Sequence, residues 1–428
     1  MHARYSYPLK LGQAVGIELE YMIVDAQSLA VRPIADEVIR AVAGEFTSDA
    51  EPDGPQGVIS WSNELALHVI ELKTARPVPS LAPLAGLFAN HVHRINAILE
   101  PMNARLMPTA MHPWMDPHRE LKLWPHEYSP VYEAYDRIFS CRGHGWANLQ
   151  STHINLPFGD DDEFGRLHAA IRLVLPIIPA LAASSPVADG APTGLADTRL
   201  DVYRRNARRI PSVTGDVIPE PVFTRRDYEQ RILQRMYRDI APHDPDEILR
   251  HEWLNSRGCI ARFDRGSIEI RVIDIQECPQ ADLAVTALIA ATVHALADER
   301  MSSMADQRQW PVAPLKRILL GTMRRAGQFI IDEAEYLALF GLDAPRARAR
   351  DLWHHLAHTL VPDNDPAAPA IRRLLDAGPL ACRLLDALGA MPKSEQLHAV
   401  YRRLCECLQQ DHLFTIDSPE PQTGHLIR

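Results

Sequence analysis

The sequence predicts an α+β fold: a largely antiparallel sheet with helices against it, followed by a helical C-terminal part. Three observations lead there. Strand and helix patterns are mixed through the first two-thirds of the chain, without a regular βαβα alternation. The candidate strands set apolar positions against polar or charged ones, as in a sheet with one face on a core. From Gln307 onward the pattern changes to amphipathic helices separated by short Pro/Gly/Asp breaks.

Taken in order, residues 14–25 read as the first strand. In GIELEYMIVD (16–25), Ile17, Leu19, Tyr21 and Ile23 share one face, and Glu18 and Glu20 share the other with Met22 and Val24. Apolar spacing near 3.6 predicts a helix over 33–43. A strand over 67–74 follows, then a helix over 80–100 that Pro79-Ser80 can start. β-branched and alternating residues predict strands at 104–110, 148–157 and 259–274. Between and after them, 162–183 and 282–300 read as helices. VPDNDPAAPA (361–370) is the clearest loop of the last third, and the tail 417–428 reads as frayed. The division expected is a catalytic region over 1–305 and a helical region over 306–428, packed on the same domain.

Composition narrows the function. The 428 residues are 46% hydrophobic and 23% charged, as in a soluble globular protein. A net charge of −10 with no basic block gives no reason to expect nucleic acid as a partner. The six cysteines show no CxxC spacing, which fits reduced thiols, and the C-E-C at 405–407 reads as packing in a helix. MHARYSYPLK lacks the apolar core of a signal peptide. The apolar run 169–183 is broken by Arg172, Pro176 and Pro179, so no membrane span is expected. A cytoplasmic location follows as the expectation.

Four segments carry chemistry. Glu18 and Glu20 repel each other and resist desolvation, so side by side on an apolar strand they need a reason. NELALHVIELKT adds Glu64 and Glu71. Their seven-residue spacing would point them to opposite faces of one unbroken strand, so serving one site requires a turn or bulge between them. In STHINLPF, His153 and Asn155 share a face. In GSIEIRVID, Glu269 and Arg271 do. Singly, each glutamate reads as a solvent-facing sheet position, and Glu-x-Arg as a surface ion pair. If the four strands share a sheet, their second faces converge on carboxylates, one imidazole and one guanidinium. Hard oxygen ligands with one histidine suit Mg²⁺ or Mn²⁺, and with an arginine they are the equipment of phosphoryl transfer.

GIELEYMIVD, ELALHVIELKT, STHINLPF, ASSP followed by TGLADTRLDVY, and GSIEIRVIDIQ stand in the order seen in the carboxylate–amine ligases related to glutamate–cysteine ligase. The chain resembles that family over roughly residues 14–300. The resemblance implies a glutamine-synthetase-like fold, with an antiparallel sheet forming a concave active site and helices packed behind. It implies that ATP phosphorylates the γ-carboxylate of L-glutamate and that an amine, L-cysteine by default, displaces the phosphate to give γ-glutamylcysteine on the route to glutathione. By similarity Glu18, Glu20, Glu64, Glu71, His153 and Glu269 are metal and phosphate-site ligands for Mg²⁺ or Mn²⁺. Arg271 is the catalytic arginine on the transferring group. Arg199 and Asn155 are candidates for substrate binding, Arg199 through a carboxylate and Asn155 as a polar contact near the metals. The first motif departs from the family in carrying IELEY where many relatives have a more acidic run, and HEWLNSRGCIARF is only loosely alike.

The alternatives are a ligase with another amine acceptor, a metal-dependent amide or phosphate hydrolase, and a ligase-like protein kept for binding or regulation. One histidine is few for a zinc hydrolase. Outside these segments, His354 and His358 at i, i+4 lack the glutamate of a zinc motif, and His91 and His93 point apart on a helix. The Pro-rich loop 109–118 (TAMHPWMDPH) is expected at the active-site rim. The basic run 204–211 reads as a solvated face or as a phosphate contact. The amphipathic helices of the last third leave room for a homodimer.

Overall fold

The computed structural model describes residues 7–416; the tail expected to fray, 417–428, lies outside them. One antiparallel sheet organises the structure. Its strands are β1 (Gly16–Asp25), β2 (Asp49–Ala50), β3 (Ile59–Asn63), β4 (Val69–Thr74), β5 (Ala104–Met107) and β6 (Ser151–Pro157). After a short hairpin of β7 (Val187–Ala188) and β8 (Ala191–Pro192), the sheet is completed by β9 (Cys259–Arg262) and β10 (Ser267–Asp274). The order is β2-β3-β4-β1-β6-β10-β9, with β5 paired to the C-terminal end of β1.

The alternation in β1 decides which face is covered. Ile17, Leu19, Tyr21 and Ile23 are fully buried, and they join Ile70, Leu72, Ile154, Ile268 and Ile270 in one apolar layer. Against that layer lie the helices Leu84–Leu99, Asp161–Val174 and Pro279–Ala297. Asp282 ties the last of these to the sheet, accepting hydrogen bonds from Thr152 Oγ1 at 2.7 Å and Tyr21 Oη at 3.4 Å. This helix is long and apolar enough to cross a membrane by composition, but most of it is buried as the central core helix.

Several elements differ from expectation for identifiable reasons. Residues 259–274 form two strands, because Gly266 takes φ +70° and closes a tight hairpin with its N–H on Arg262 O. The helix expected over 162–183 ends at Val174. Pro176 and Pro179 lack the N–H to continue it, and each starts a short new turn instead. Loop 361–370 is shortened by a helix starting at Ala368.

Beyond Gln307 the chain adds Val312–Arg325, Ala349–Leu360, Ala368–Ala377, Leu380–Leu388 and Ser394–Gln410. The apolar faces of the first three join the sheet's core, while the last two pack mainly in a second cluster with Met22, Val24 and Met107. Arg383 anchors the end of this part, donating to buried Glu277 at 2.5 Å and to Phe414 O at 2.7 Å. All six cysteines are free thiols, and five of them, including Cys405 and Cys407, are buried.

Candidate active site

The open face of the sheet is built by register. Glu18 stands opposite Lys73 on one side and His153 on the other, and Glu20 stands opposite Glu71. Glu269 pairs with Asn155 across β6 and β10. The seven-residue spacing of Glu64 and Glu71 resolves as a hairpin. β3 ends at Asn63, the turn begins at Glu64, and β4 returns with Ser62 opposite Glu71. Both glutamates therefore line one cavity of about 720 Å³, together with Glu18, Glu20, His153, Glu269, Arg271 and Arg199.

Within this cluster the side chains hold one another. His153 Nδ1 lies 2.7 Å from Glu18 Oε2, and its Nε2 lies 2.9 Å from Ser151 Oγ. Ser151 donates both its N–H (2.7 Å) and its hydroxyl (2.9 Å) to Glu20 Oε2. Lys73 Nζ reaches Ser62 Oγ at 2.8 Å, Asp49 at 3.0 Å and Glu71 at 3.2 Å, while Ser62 Oγ donates to Glu71 at 2.6 Å. Arg271 Nε sits 2.9 Å from Glu269 Oε1.

The electrostatics show what this packing costs. Burial alone would raise the Glu18 carboxyl, but the hydrogen bond and charge of His153, with Lys73 and Arg271 nearby, hold it below the usual carboxylate range. Burial would likewise lower the His153 imidazole; with no metal bound, Glu18, Glu20 and Glu269 outweigh it and raise it to about 9. For Glu64 and Glu71 burial prevails over the nearby cations instead. Burial, then the charges of Glu20 and Glu71, push Glu64 well up. Burial and Glu18 carry Glu71 up to about 7, against the pull of Lys73. Two carboxyls that resist ionising in one cluster are a site short of positive charge.

Divalent cations fit that deficit. Glu18, Glu71 and His153 present ligand atoms within 4.8 Å of one another, and so do Glu20, Glu64 and Glu71. Glu71 is common to both groups, and oxygen donors with one imidazole suit Mg²⁺ or Mn²⁺. Glu269 belongs to neither group. It is engaged by Arg271 and, at 3.7 Å, by Arg262.

The two substrate-binding candidates both make contacts at the cluster's edge. Asn155 Nδ2 donates to Glu18 Oε1 at 2.9 Å, so it orients a carboxylate and does not line the cavity. Arg199 is 2% exposed, with Asp274 at 3.4 Å and its other amino group on Arg271 O at 2.9 Å. It braces the wall behind Arg271 and lines the cavity, with its Nε free of any hydrogen-bond partner among the described residues.

The expectation for the rim loop is corrected. The loop 109–118 does not line the cavity. His112 is buried against Leu29 O, and Trp114 packs on Tyr401 and His398 of the C-terminal helix, where an apolar loop gains more burial. Of the basic run 204–211 only Asn206 reaches the cavity; Arg204 and Arg205 are paired with Asp201. His354 and His358 join no candidate metal group among the described residues.

Sequence reading missed Lys73, Ser151 and Arg262, and also an aromatic wall that includes Tyr132, Tyr135, Trp146 and Trp253. Lys73 was within reach, since it stands two residues from Glu71 on the same strand face.

Comparisons with known proteins show the family and the fold. Glutamate-cysteine ligase family 2 matches residues 14–322. An "Uncharacterized protein" of Archaeoglobus fulgidus is 37% identical over 67% of this chain and 75% of its own length. Among solved structures, the glutamate–cysteine ligase of Francisella tularensis, in complex with AMP, superposes with a TM-score of 0.56. It is 13% identical and is matched over 97% of this chain and 91% of its own. A bifunctional glutathione synthetase from Pasteurella multocida gives a TM-score of 0.57 at 14% identity, over 94% of this chain and 53% of its own. At such identity the likeness speaks for the fold, an antiparallel sheet with helices packed against it.

Proposed function

The chain belongs to glutamate–cysteine ligase family 2, and on that premise we propose that it is an ATP- and Mg²⁺-dependent carboxylate–amine ligase. Its carboxylate is the γ-carboxylate of L-glutamate, activated as an acyl phosphate, and an amine then displaces phosphate to form the amide. The observation that supports this best is the pair of three-residue ligand groups sharing Glu71, with Arg271 beside them.

Glu18, Glu71 and His153 would hold one Mg²⁺, or Mn²⁺, and Glu20, Glu64 and Glu71 a second. Bound there, the ions neutralise phosphate charge and polarise the transferring group. The chain's own residues supply the rest. Burial disfavours the Arg271 charge, but Glu269 and Glu20 keep it protonated, so a fixed cation faces the site where phosphoryl charge builds. Asn155 and Ser151 fix the orientation of Glu18 and Glu20 before any ligand arrives, which lowers the reorganisation needed at reaction. Lys73, itself held by Asp49, tempers the charge of Glu71.

The test is ADP release from ATP and Mg²⁺ with L-glutamate and a panel of amines including cysteine, products identified by mass. ADP release should require both a carboxylate and an amine. ATP hydrolysis indifferent to both would overturn the ligase reading.

A further inference from the structure

The cavity has two chemically distinct ends. β6 runs from Ser151 to Pro157, with Pro157 opposite Ser267 and Ser151 opposite Asp274 on β10. At the Pro157 end, the β9–β10 hairpin contributes Arg262, Asp264 and Arg265. At the Ser151 end, the β3–β4 turn contributes Leu65, and Leu149 leads into β6. Tyr132 belongs to this second end, because its hydroxyl accepts from Asn63 Nδ2 at 2.9 Å, next to Glu64. Tyr135 continues the wall, with ring centroids 5.1 Å from Trp146 and 6.1 Å from Trp253.

The guanidinium end suits a polyphosphate. The aromatic end does not, and it is the end nearest Glu64. Resting on the ligase reading above, we propose that the aromatic end receives the attacking amine, and that this amine carries an aromatic or bulky apolar group.

Two buried polar atoms complete the pocket. The Tyr203 hydroxyl and Asn206 Oδ1 have no hydrogen-bond partner among the described residues, although both residues line the cavity. Asn206 Nδ2 donates to Gly145 O, so the orphaned atom is the carbonyl oxygen, an acceptor. A buried orphan acceptor and an orphan hydroxyl want a ligand with its own N–H or O–H groups, and leaving them unmet is costly. Cysteine brings one methylene and a thiol to this wall. An arylalkyl amine covers far more of it, with ring contacts that add to the area buried. In the reaction its nitrogen lone pair attacks the acyl carbon, the carbon–oxygen bond to phosphorus breaks, phosphate leaves with that electron pair, and the amine's proton goes to solvent.

The experiment uses the full chain with Mg²⁺, ATP and L-glutamate, and three kinds of amine side by side: hydroxylamine, cysteine, and phenethylamine or tyramine. Hydroxylamine is small enough to need no pocket, so γ-glutamyl hydroxamate reports the acyl phosphate alone. The expected result is hydroxamate formation together with a kcat/KM at least tenfold higher for the arylalkyl amines than for cysteine. Trp146→Leu should raise KM for phenethylamine at least tenfold, and Trp146→Phe, which keeps a ring, should recover most of that loss. Hydroxamate formation with cysteine preferred over both arylalkyl amines would overturn the acceptor assignment and leave the ligase reading standing. No hydroxamate at all would overturn the ligase reading and this inference with it.

Discussion

Arg271→Ala should lower turnover by about 10³-fold or more while the protein stays folded. The magnitude follows from where the charge sits. Arg271 is on the cavity face of β10, fixed by Glu269 at 2.9 Å and braced from behind by Arg199 on its carbonyl. A preorganised cation on the cavity wall acts on developing phosphoryl charge without reorganising. The fold is insulated from the change, because β10 is held to the core by Ile268, Ile270 and Val272 on the other face. The backbone N–H of residue 271 still reaches Gly258 O in the alanine variant. Glu269 also keeps Arg262 nearby, so its carboxylate is not left without a counter-charge. Steady-state kinetics at saturating ATP and glutamate, with circular dichroism as the control for folding, measure this. Arg271→Lys should fall between, since it restores charge without the planar fork. Near-parental turnover in the alanine variant would remove Arg271 from the catalytic role.

Glu71→Gln should abolish most of the stabilisation that Mg²⁺ or Mn²⁺ gives and lower turnover by about 10²-fold or more, in line with losses seen on disturbing metal sites. Glu71 is the residue both ligand groups share, so one substitution weakens both positions at once. A ligand that binds only the folded state raises Tm by mass action. The parent should therefore show a metal-dependent rise in Tm that the variant lacks. In the absence of metal the variant should differ in the opposite sense. The Glu71 carboxyl has its folded value raised from 4.5 to about 7 by burial and by Glu18. A carboxyl raised on folding supports the folded state fully below its unfolded value, and that support is lost as pH rises through the folded value. Metal-free parent protein should thus lose up to about 3 kcal/mol between pH 4.5 and 7 from this group. The glutamine variant, which cannot ionise, should not. Thermal denaturation across that range, with and without 10-fold steps of Mg²⁺, reads both effects; an unchanged metal response would take Glu71 out of the ligand set.

Much of the site was legible because it lies on strands, where a period of two assigns faces from sequence alone. Glu18 and Glu20, His153 and Asn155, and Glu269 and Arg271 all fall on the cavity side of their strands, as their alternation requires. The odd spacing of Glu64 and Glu71 demanded an interruption, and the hairpin supplies it. Arg199 was harder. Its residue type suits a substrate carboxylate and it lines the cavity, but nothing local reveals that Asp274, 75 residues away, would pair with it as well. The span 259–274 read as one strand because β-propensity is high on both sides of a turn whose only local marks are Asp264 and Gly266. The aromatic wall was out of reach. Its rings come from helix Ser129–Phe139, the short helix His144–Ala147 and the loop before β9, and which way each faces is decided by tertiary packing.

The most direct test of the account is to supply L-glutamate labelled with ¹⁸O in the γ-carboxylate, run the reaction with Mg²⁺, ATP and an accepted amine, and measure ¹⁸O in the released phosphate by mass. An acyl phosphate formed on this face transfers one carboxylate oxygen to phosphate, so each phosphate should carry one label in proportion to amide made. Unlabelled phosphate, with its new oxygen drawn from water, would mean that the cluster hydrolyses ATP without activating the carboxylate, and the ligase mechanism would be wrong.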